Sequence, residues 1–307
     1  MALKFTQYVL QAPGDVLPGV VQIITNESIF LRLFAFEETV EFTKSYNRQQ
    51  TLGGIAFRGL NQTYTADTGV INPQVETLKI FGGTVDTDRQ LAKGAKGKSV
   101  RSNNIASKVK KAALFFDKYV IDGDSSVDPL QFDGLNKRLT GNQVISMATN
   151  GATLTLAKLD ALLDAVVGTN SGKVLVMNKA CRTKVQQLIQ SAAGGAAVAD
   201  FVNGEIAKYN GARIEVIDED GDEAAILGFD ETQGSSNVTT SVYCVRPGSM
   251  DGEHVRGLVR QPDGSEPIEY VDYGERNGVY QELVESVMGI ALYHPRCAAR
   301  LKGIIAG

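Results

Sequence analysis

The chain has 307 residues, 43% of them hydrophobic and 21% charged, which fits one or two folded domains with a substantial core. Its net charge of −4 argues against a surface built as a whole to grip nucleic acid. The three cysteines, Cys181, Cys244 and Cys297, are odd in number, far apart and without a CxxC pair, which excludes a disulfide framework.

No stretch of 18 apolar residues occurs, so no membrane-spanning helix is expected. The first residues, MALKFTQYVLQAPGD, lack a basic segment followed by an apolar one. No secretory leader is therefore expected, and the chain should remain in the cytoplasm where it is made.

Residues 1–45 read as an arm. Pro13, Gly14, Pro18 and Gly19 break its beginning, and VVQIITNESIFLRLFAFEETVEF is too apolar for a free tail. Next, Gly53-Gly54 and Gly82-Gly83 bracket the stretch Ile55 to Phe81. Its middle, NQTYTADTG, is turn-like, and its flanks, IAFRGL and VETLKIF, are strand-like, although Pro73 should interrupt pairing. This predicts a long two-stranded finger, reaching on the order of 40 Å at ~3.3 Å per residue. A lone hairpin is marginal in water, so the finger needs a surface, which another copy of the chain could supply.

From Arg89 to Lys111 the sequence is basic, with no acid before Asp117. Ile105, Val109, Ala112, Phe116 and Tyr119 recur at helical spacing. A helix is predicted from a cap at Ser102 or Asn103 to a stop at Gly123. The basic run reads as a solvated helix face or as a surface toward phosphate or an acidic neighbour. After the helix comes VIDGDSSVDPLQFDGL, which offers three readings: a metal loop, paired catalytic carboxylates, or a structural joint.

Beyond Thr140 the pattern is mixed α/β. TLTLAKLDALLDAVV and NKACRTKVQQLIQS are amphipathic helices around the strand KVLVM. SAAGGAAVAD is a small-residue loop. RIEVID, AILGF and TSVYCVR read as strands. GVYQELVESVMGIALYHP alternates as one long strand, with Glu282 and Ser286 interrupting its apolar face, and RCAARLKGI reads as a short tail.

The chemical motifs fail one by one. GTNSGKV is one residue short of a phosphate loop and precedes a strand instead of following one. Asp122, Asp124, Ser126 and Asp128, and likewise Asp218, Asp220 and Asp222, imitate calcium loops, but the glycine or the final glutamate is missing. The two histidines, His254 and His294, have no metal-ligand spacing, and no GxSxG occurs. No Trp is present, and aromatics do not interleave with the basic run, so base stacking is unsupported. No catalytic residue, cofactor or metal is assigned.

Three passages carry a resemblance: LPGVVQIITNESIFLRL followed by YNRQQTLGGIAFRGLNQTYTADTGVINPQVETLKIFGG; KKAALFFDKYVIDGDSSVDPLQFDGLNKRL; and LDALLDAVVG, KVLVMNKACRTKVQQLIQ and YNGARIEVIDED. In this order they resemble the major capsid proteins of tailed bacteriophages, an α+β class with the Hong Kong 97-like phage capsid fold. The resemblance implies an N-terminal arm (1–45), an extended β-hairpin loop (46–88), a peripheral-domain spine helix and joint (89–144), an axial domain (145–268), and a peripheral return strand with the C-terminus (269–307). It implies no enzyme. The chain would form pentamers and hexamers that close an icosahedral shell around double-stranded DNA, contacted non-specifically. It would be located in the virion after assembly in a bacterial cytoplasm, with no membrane partner.

A separate scaffolding protein or prior cleavage is implied, because no long charged segment precedes the arm. A portal and a cement protein are further expected partners. Phe57, Arg58, Asn61 and Tyr64 are the expected intersubunit contacts. Gly53, Gly54, Gly82 and Gly83 are the expected hinge, and Gly123, Pro129 and Gly134 mark the joint to the axial domain. The basic run and the acidic EETVEF and DEDGDE segments would set register between copies. The loop tip has no lysine, so no covalent crosslinking of the shell is expected. Alternatives are an encapsulin-like nanocompartment and, more distantly, a cytosolic α/β hydrolase.

Overall fold

The computed structural model describes residues 27–93, 97–192, 199–202, 205–222, 224–248, 254–262 and 268–306. Most of the arm and the centre of the SAAGGAAVAD loop lie outside the described residues. In chain order the elements are α1 (Ile29–Leu33), β1 (Phe36–Thr39), β2 (Thr43–Thr51), β3 (Val70–Thr77), β4 (Lys79–Asp88), α2 (Arg89–Lys93), α3 (Gly97–Asp122) and α4 (Leu135–Arg138). There follow β5 (Val144–Ser146), β6 (Ala152–Thr153), α5 (Leu156–Ala165), β7 (Val174–Met177) and α6 (Lys179–Ser191). The remainder is strand: β8 (Ala199–Val202), β9 (Glu205–Tyr209), β10 (Ala212–Val216), β11 (Glu231–Gln233), β12 (Ser236–Val245), β13 (Val255–Arg260), β14 (Ile268–Arg276), β15 (Val279–Leu292) and β16 (Ala298–Ile305).

The first sheet runs β1-β13-β15-β14, with β4 also paired antiparallel to β15. The 26-residue α3 packs against it, a rod of ~39 Å at 1.5 Å per residue. The helix starts at Gly97, earlier than the Ser102 or Asn103 cap expected from sequence. No acid is present in its first turn.

The second sheet runs β5-β16-β12-β7-β10-β9-β8, with β6 on β16 and β11 on β12. Two hydrophobic cores flank it. Val174 and Val176 of β7 face the core that holds Phe116, Val120, Phe132 and Leu135, whereas Leu175 and Met177 face the core of Leu159, Leu162, Val185 and Ile189. Alternate side chains of a strand point to opposite faces, so a strand covered on both sides must be apolar throughout. That is the reason for the unbroken KVLVM. β12 divides in the same way: Tyr243 and Val245 go to the first core, Val242 and Cys244 to the second.

Three expectations shift. RCAARLKGI is no tail: β16 lies inside the second sheet, antiparallel to β12 and parallel to β5 and β6. Conversely β13, expected in the axial segment, joins the first sheet through β1 and β15. AILGF forms only an isolated bridge, Glu219 with Ala225, and Ile226 and Leu227 bury themselves from a turn. Short apolar runs do not distinguish a strand from a buried turn.

Candidate functional site: the finger, its root and the joint

The finger is displaced from its expected position. The paired ribbon is β2 with β3, in register from Thr43↔Thr77 to Thr51↔Val70. Pro73 sits opposite Asn47 within it; a two-stranded ribbon is all edge, where proline is accommodated. Residues 52–69 form an unpaired tip. Gly82 and Gly83 are not at the ribbon's base but inside β4, opposite Glu285 and Val284 of β15. A Cβ on Gly82 would meet the Val284 carbonyl oxygen at 2.2 Å, and one on Gly83 would meet Lys108 Cε at 2.5 Å. Gly82 lets the β15 backbone close on β4, whereas at Gly83 only the flexible end of Lys108 stands in the way. The expectation of a hinge there mistook a close-packing need for a flexible one.

At the tip, Gln62 N–H donates to the Gly59 carbonyl (3.3 Å), and Asn61 adopts φ 65°. Asparagine tolerates this left-handed backbone better than most residues. Arg58 donates to the Gln62 carbonyl (3.1 Å) and its guanidinium stands 5.4 Å from the centre of the Tyr64 ring. Gly54 N–H donates to Asp67 (2.9 Å), which closes the mouth of the tip. Gly53 and Gly54 thus belong to the tip, and Phe57, Arg58, Asn61 and Tyr64 share it. Ile55, Phe57 and Leu60 are fully exposed, and Leu52 nearly so. Burying such a side chain is worth ~1.5–3 kcal/mol.

The root of the finger is held firmly. Tyr46 Oη lies 2.9 Å from Glu76 Oε1 and 2.8 Å from the Leu292 carbonyl, so its one proton is shared. Burial, then the Glu76 charge, pushes the Tyr46 phenol up and keeps it protonated. The Tyr46 and Tyr293 rings are 4.5 Å apart. Glu76, itself buried, accepts both arms of Arg138 at 2.6 and 2.5 Å, the bidentate geometry that makes arginine–carboxylate pairs strong. Nearby, Lys79 Nζ donates to the Pro129 carbonyl (2.7 Å).

The acidic passage VIDGDSSVDPLQFDGL folds back on itself. Gly134 N–H donates to the Gly123 carbonyl at 2.8 Å. A Cβ on Gly123 would strike the Phe132 carbonyl at 2.2 Å, and one on Gly134 would strike the Gly123 nitrogen and the Ile121 and Tyr119 carbonyls at 2.7 Å. The aspartates serve the backbone: Asp133 accepts from Ser125 N–H (2.8 Å), Asp124 from Ser126 N–H (2.7 Å), and Asp128 from Leu130 N–H (2.9 Å). Lys137 reaches Asp124 at 2.7 Å and Asp133 at 2.9 Å. Burial works to raise Asp133, but its bonds to Ser125 and Lys137 outweigh it and hold the carboxyl at about 2.

The second calcium-like stretch is likewise spent within the chain. Asp218 pairs with Lys179, Asp220 with Lys118 (2.7 Å), and Asp222 with Lys111 (2.5 Å). Lys118 and then the Asp222 N–H hold Asp220 down at about 2. Among the described residues no group of three His, Cys, Asp or Glu is placed to hold a metal. Much of the basic run is also neutralised at home. Arg89 pairs with Glu275, Lys110 with Glu27, and Arg101 with Asp272 and the fully buried Glu282. Asp218, Asp220 and Asp222 of DEDGDE are therefore paired within their own chain. Glu37 of EETVEF is occupied too, by Lys44 and Arg256.

Lys173, from the phosphate-loop lookalike, is buried; it donates to the Leu163 carbonyl (2.8 Å) and to Asn170 (3.0 Å), closing the end of α5. His294 Nδ1 accepts the Arg296 N–H at 3.0 Å. The three cysteines are buried, which pushes each thiol up to about 12.

Sequence reasoning missed Asp117, in the buried part of α3. It accepts from Ser28 Oγ (2.5 Å), Ile29 N–H (2.8 Å) and Phe30 N–H (3.1 Å), and so caps α1 from across the fold. It also missed the Glu76–Arg138 pair. The faint signal for Glu76 was its place beside Leu78, on the inward-facing alternation of β3.

No protein family matches the sequence, and no curated protein does either. Solved structures do match, over nearly the whole chain. The capsid of a native GTA particle superposes with a TM-score of 0.64 at 12% identity, over 95% of this chain and 92% of that one. An encapsulin complex from Synechococcus elongatus gives 0.63 at 13%, over 90% and 87%. Mycobacterium phage Adephagia gives 0.58 at 12%, over 91% and 90%. The architecture is thus one found in shell-forming proteins. It is the Hong Kong 97-like phage capsid fold, with a finger, a long helix on the first sheet and a mixed α/β second sheet.

Proposed function

We propose that this chain is a structural shell subunit, the major capsid protein of a tailed bacteriophage. Copies gather as pentamers and hexamers and close an icosahedral container around double-stranded DNA. The observation that carries this reading is the tip: Ile55, Phe57 and Leu60 stand fully in water at the end of a projecting ribbon. An apolar cluster so displayed marks an interaction site, and a neighbouring copy is the surface it fits. Phe57, Arg58 and Tyr64 make that contact, Asn61 shapes the turn behind them, and Gly53 and Gly54 let the tip adjust as the shell changes size. Gly123, Pro129 and Gly134 form the joint leading to the axial part.

Scaffolding, portal and cement proteins complete the set of partners. The virion is the final location, reached after assembly in the host cytoplasm. Negative-stain microscopy of the purified chain, with and without its scaffold, tests the reading. Closed particles support it, and a monomer at every concentration removes it.

A second reading has its own support. The encapsulin superposition is as good as that of the GTA capsid and better than that of Mycobacterium phage Adephagia, so a protein-filled nanocompartment is the runner-up. Particle contents decide between them: nucleic acid for the capsid, packed enzyme for the compartment.

A further inference from the structure

We propose that the joint sets the stance of the finger, through a clamp formed by Arg138 and Glu76. Arg138 ends α4, the short helix that follows the joint, and its Nε also donates to the Asp133 carbonyl at 2.6 Å. Its two terminal nitrogens hold the carboxylate of Glu76, which lies on the root of the finger. Asp133 is in turn fixed by Ser125 and Lys137, and Lys137 also holds Asp124 and the Ser125 and Ser126 hydroxyls. Lys79, just past the finger, donates to the Pro129 carbonyl within the same passage.

A continuous polar chain therefore runs from the Gly123–Gly134 crossing to the base of the ribbon. Both members of the clamp are mostly shielded, with side chains 16% and 10% exposed, so salt screens it little. The finger amplifies whatever happens there. Sixteen residues separate Glu76 from Leu60, up to ~50 Å of ribbon and unpaired tip together, so a rotation of ~10° at the root moves the far end by roughly 9 Å. The joint is thus the fulcrum of this lever. The inference concerns the free chain and stands whether or not closed shells form.

The test places spin labels on the full chain at Leu60→Cys, on the tip, and Gln190→Cys, exposed on α6. The native cysteines are buried and do not compete. Labelled chain is diluted into unlabelled chain, so that only distances within one molecule count. The parent should give a narrow distance distribution. Glu76→Gln should make it roughly twofold broader, as the ribbon samples more than one stance.

Lys137→Met, at a half-buried side chain 29% exposed, touches no finger residue. It should broaden the same distance, and should add nothing once Glu76→Gln is present, the signature of one shared path. Broadening by Glu76→Gln alone, with Lys137→Met silent, would show a clamp that acts locally and would overturn the joint's role. An unchanged distribution in Glu76→Gln would overturn the whole proposal. Circular dichroism of each variant separates a moved finger from an unfolded chain.

Discussion

Asp117 illustrates how much one side chain decides. It is a carboxylate in the core with three donors aimed at it. Burial pushes it up to about 7, while Ser28 and the Ile29 and Phe30 amides pull the other way. In the unfolded chain an aspartate titrates near ~3.9. Between these two values the folded state holds a proton that the unfolded state has lost. The contribution of Asp117 is therefore fully present below pH ~4 and fades as pH rises through about 7, at ~1.4 kcal/mol per unit. Urea melts of the parent and of Asp117→Asn should show the parent's margin shrinking from pH 5 to pH 7 and levelling off above. A margin independent of pH would show that Asp117 does not titrate in that window. Asp117→Ala, which strands a buried hydroxyl and two amides, should lower stability by about 2–4 kcal/mol in the same melts.

None of this is legible in FFDKY. Helical periodicity locates the core residues Ile105, Val109 and Phe116, but it treats a polar neighbour as solvated. The donors that bury Asp117 come from a segment 87 to 89 positions away.

At the scale of elements, the joint and the tip make opposite predictions. Gly134→Ala sets a methyl group among three backbone atoms at 2.7 Å. Backbone cannot step aside as a flexible side chain does, so thermal and urea unfolding should show a loss of ~2–4 kcal/mol. Phe57→Ser with Leu60→Ser should leave the melt of the single chain within ~0.5 kcal/mol of the parent, because neither side chain touches its own body. Light scattering should then show slowed or absent assembly. Unaltered assembly kinetics would remove the tip from the contact.

Sequence pattern located α3, α5, α6 and β15, because each has a face of regular period, and β7, because it is a short unbroken apolar run. It misplaced the ribbon because paired glycines were read as the ends of a hairpin. Gly82 is instead required where β4 meets the β15 backbone, a cause that depends on a strand some two hundred residues later. β16 was read as a tail for a related reason: its apolar run is short and broken by Arg300, Lys302 and Gly303, and its burial becomes visible only once β12 and β5 lie on either side. Gly123 and Gly134, by contrast, stand out in the sequence as glycines in one short passage, and their close approach joins backbone only 11 residues apart.

For the whole molecule, boiled particles should run as a single band near 33 kDa on a denaturing gel. The ribbon and tip from Asn47 to Leu78 contain no lysine, and Lys79 is engaged by Pro129. A ladder of covalent multimers would contradict this. The net charge of −4, with much of the basic run paired inside the chain, suits the proposed shell, whose inner face must not adhere to its contents.

The division of β7 and β12 between two cores has a further consequence. A partition common to two rooms cannot be removed from one alone. Melting either core uncovers the reverse side of strands that the other depends on, so neither survives as a partly ordered remnant. Calorimetry should record one sharp heat-absorption peak, with no shoulder.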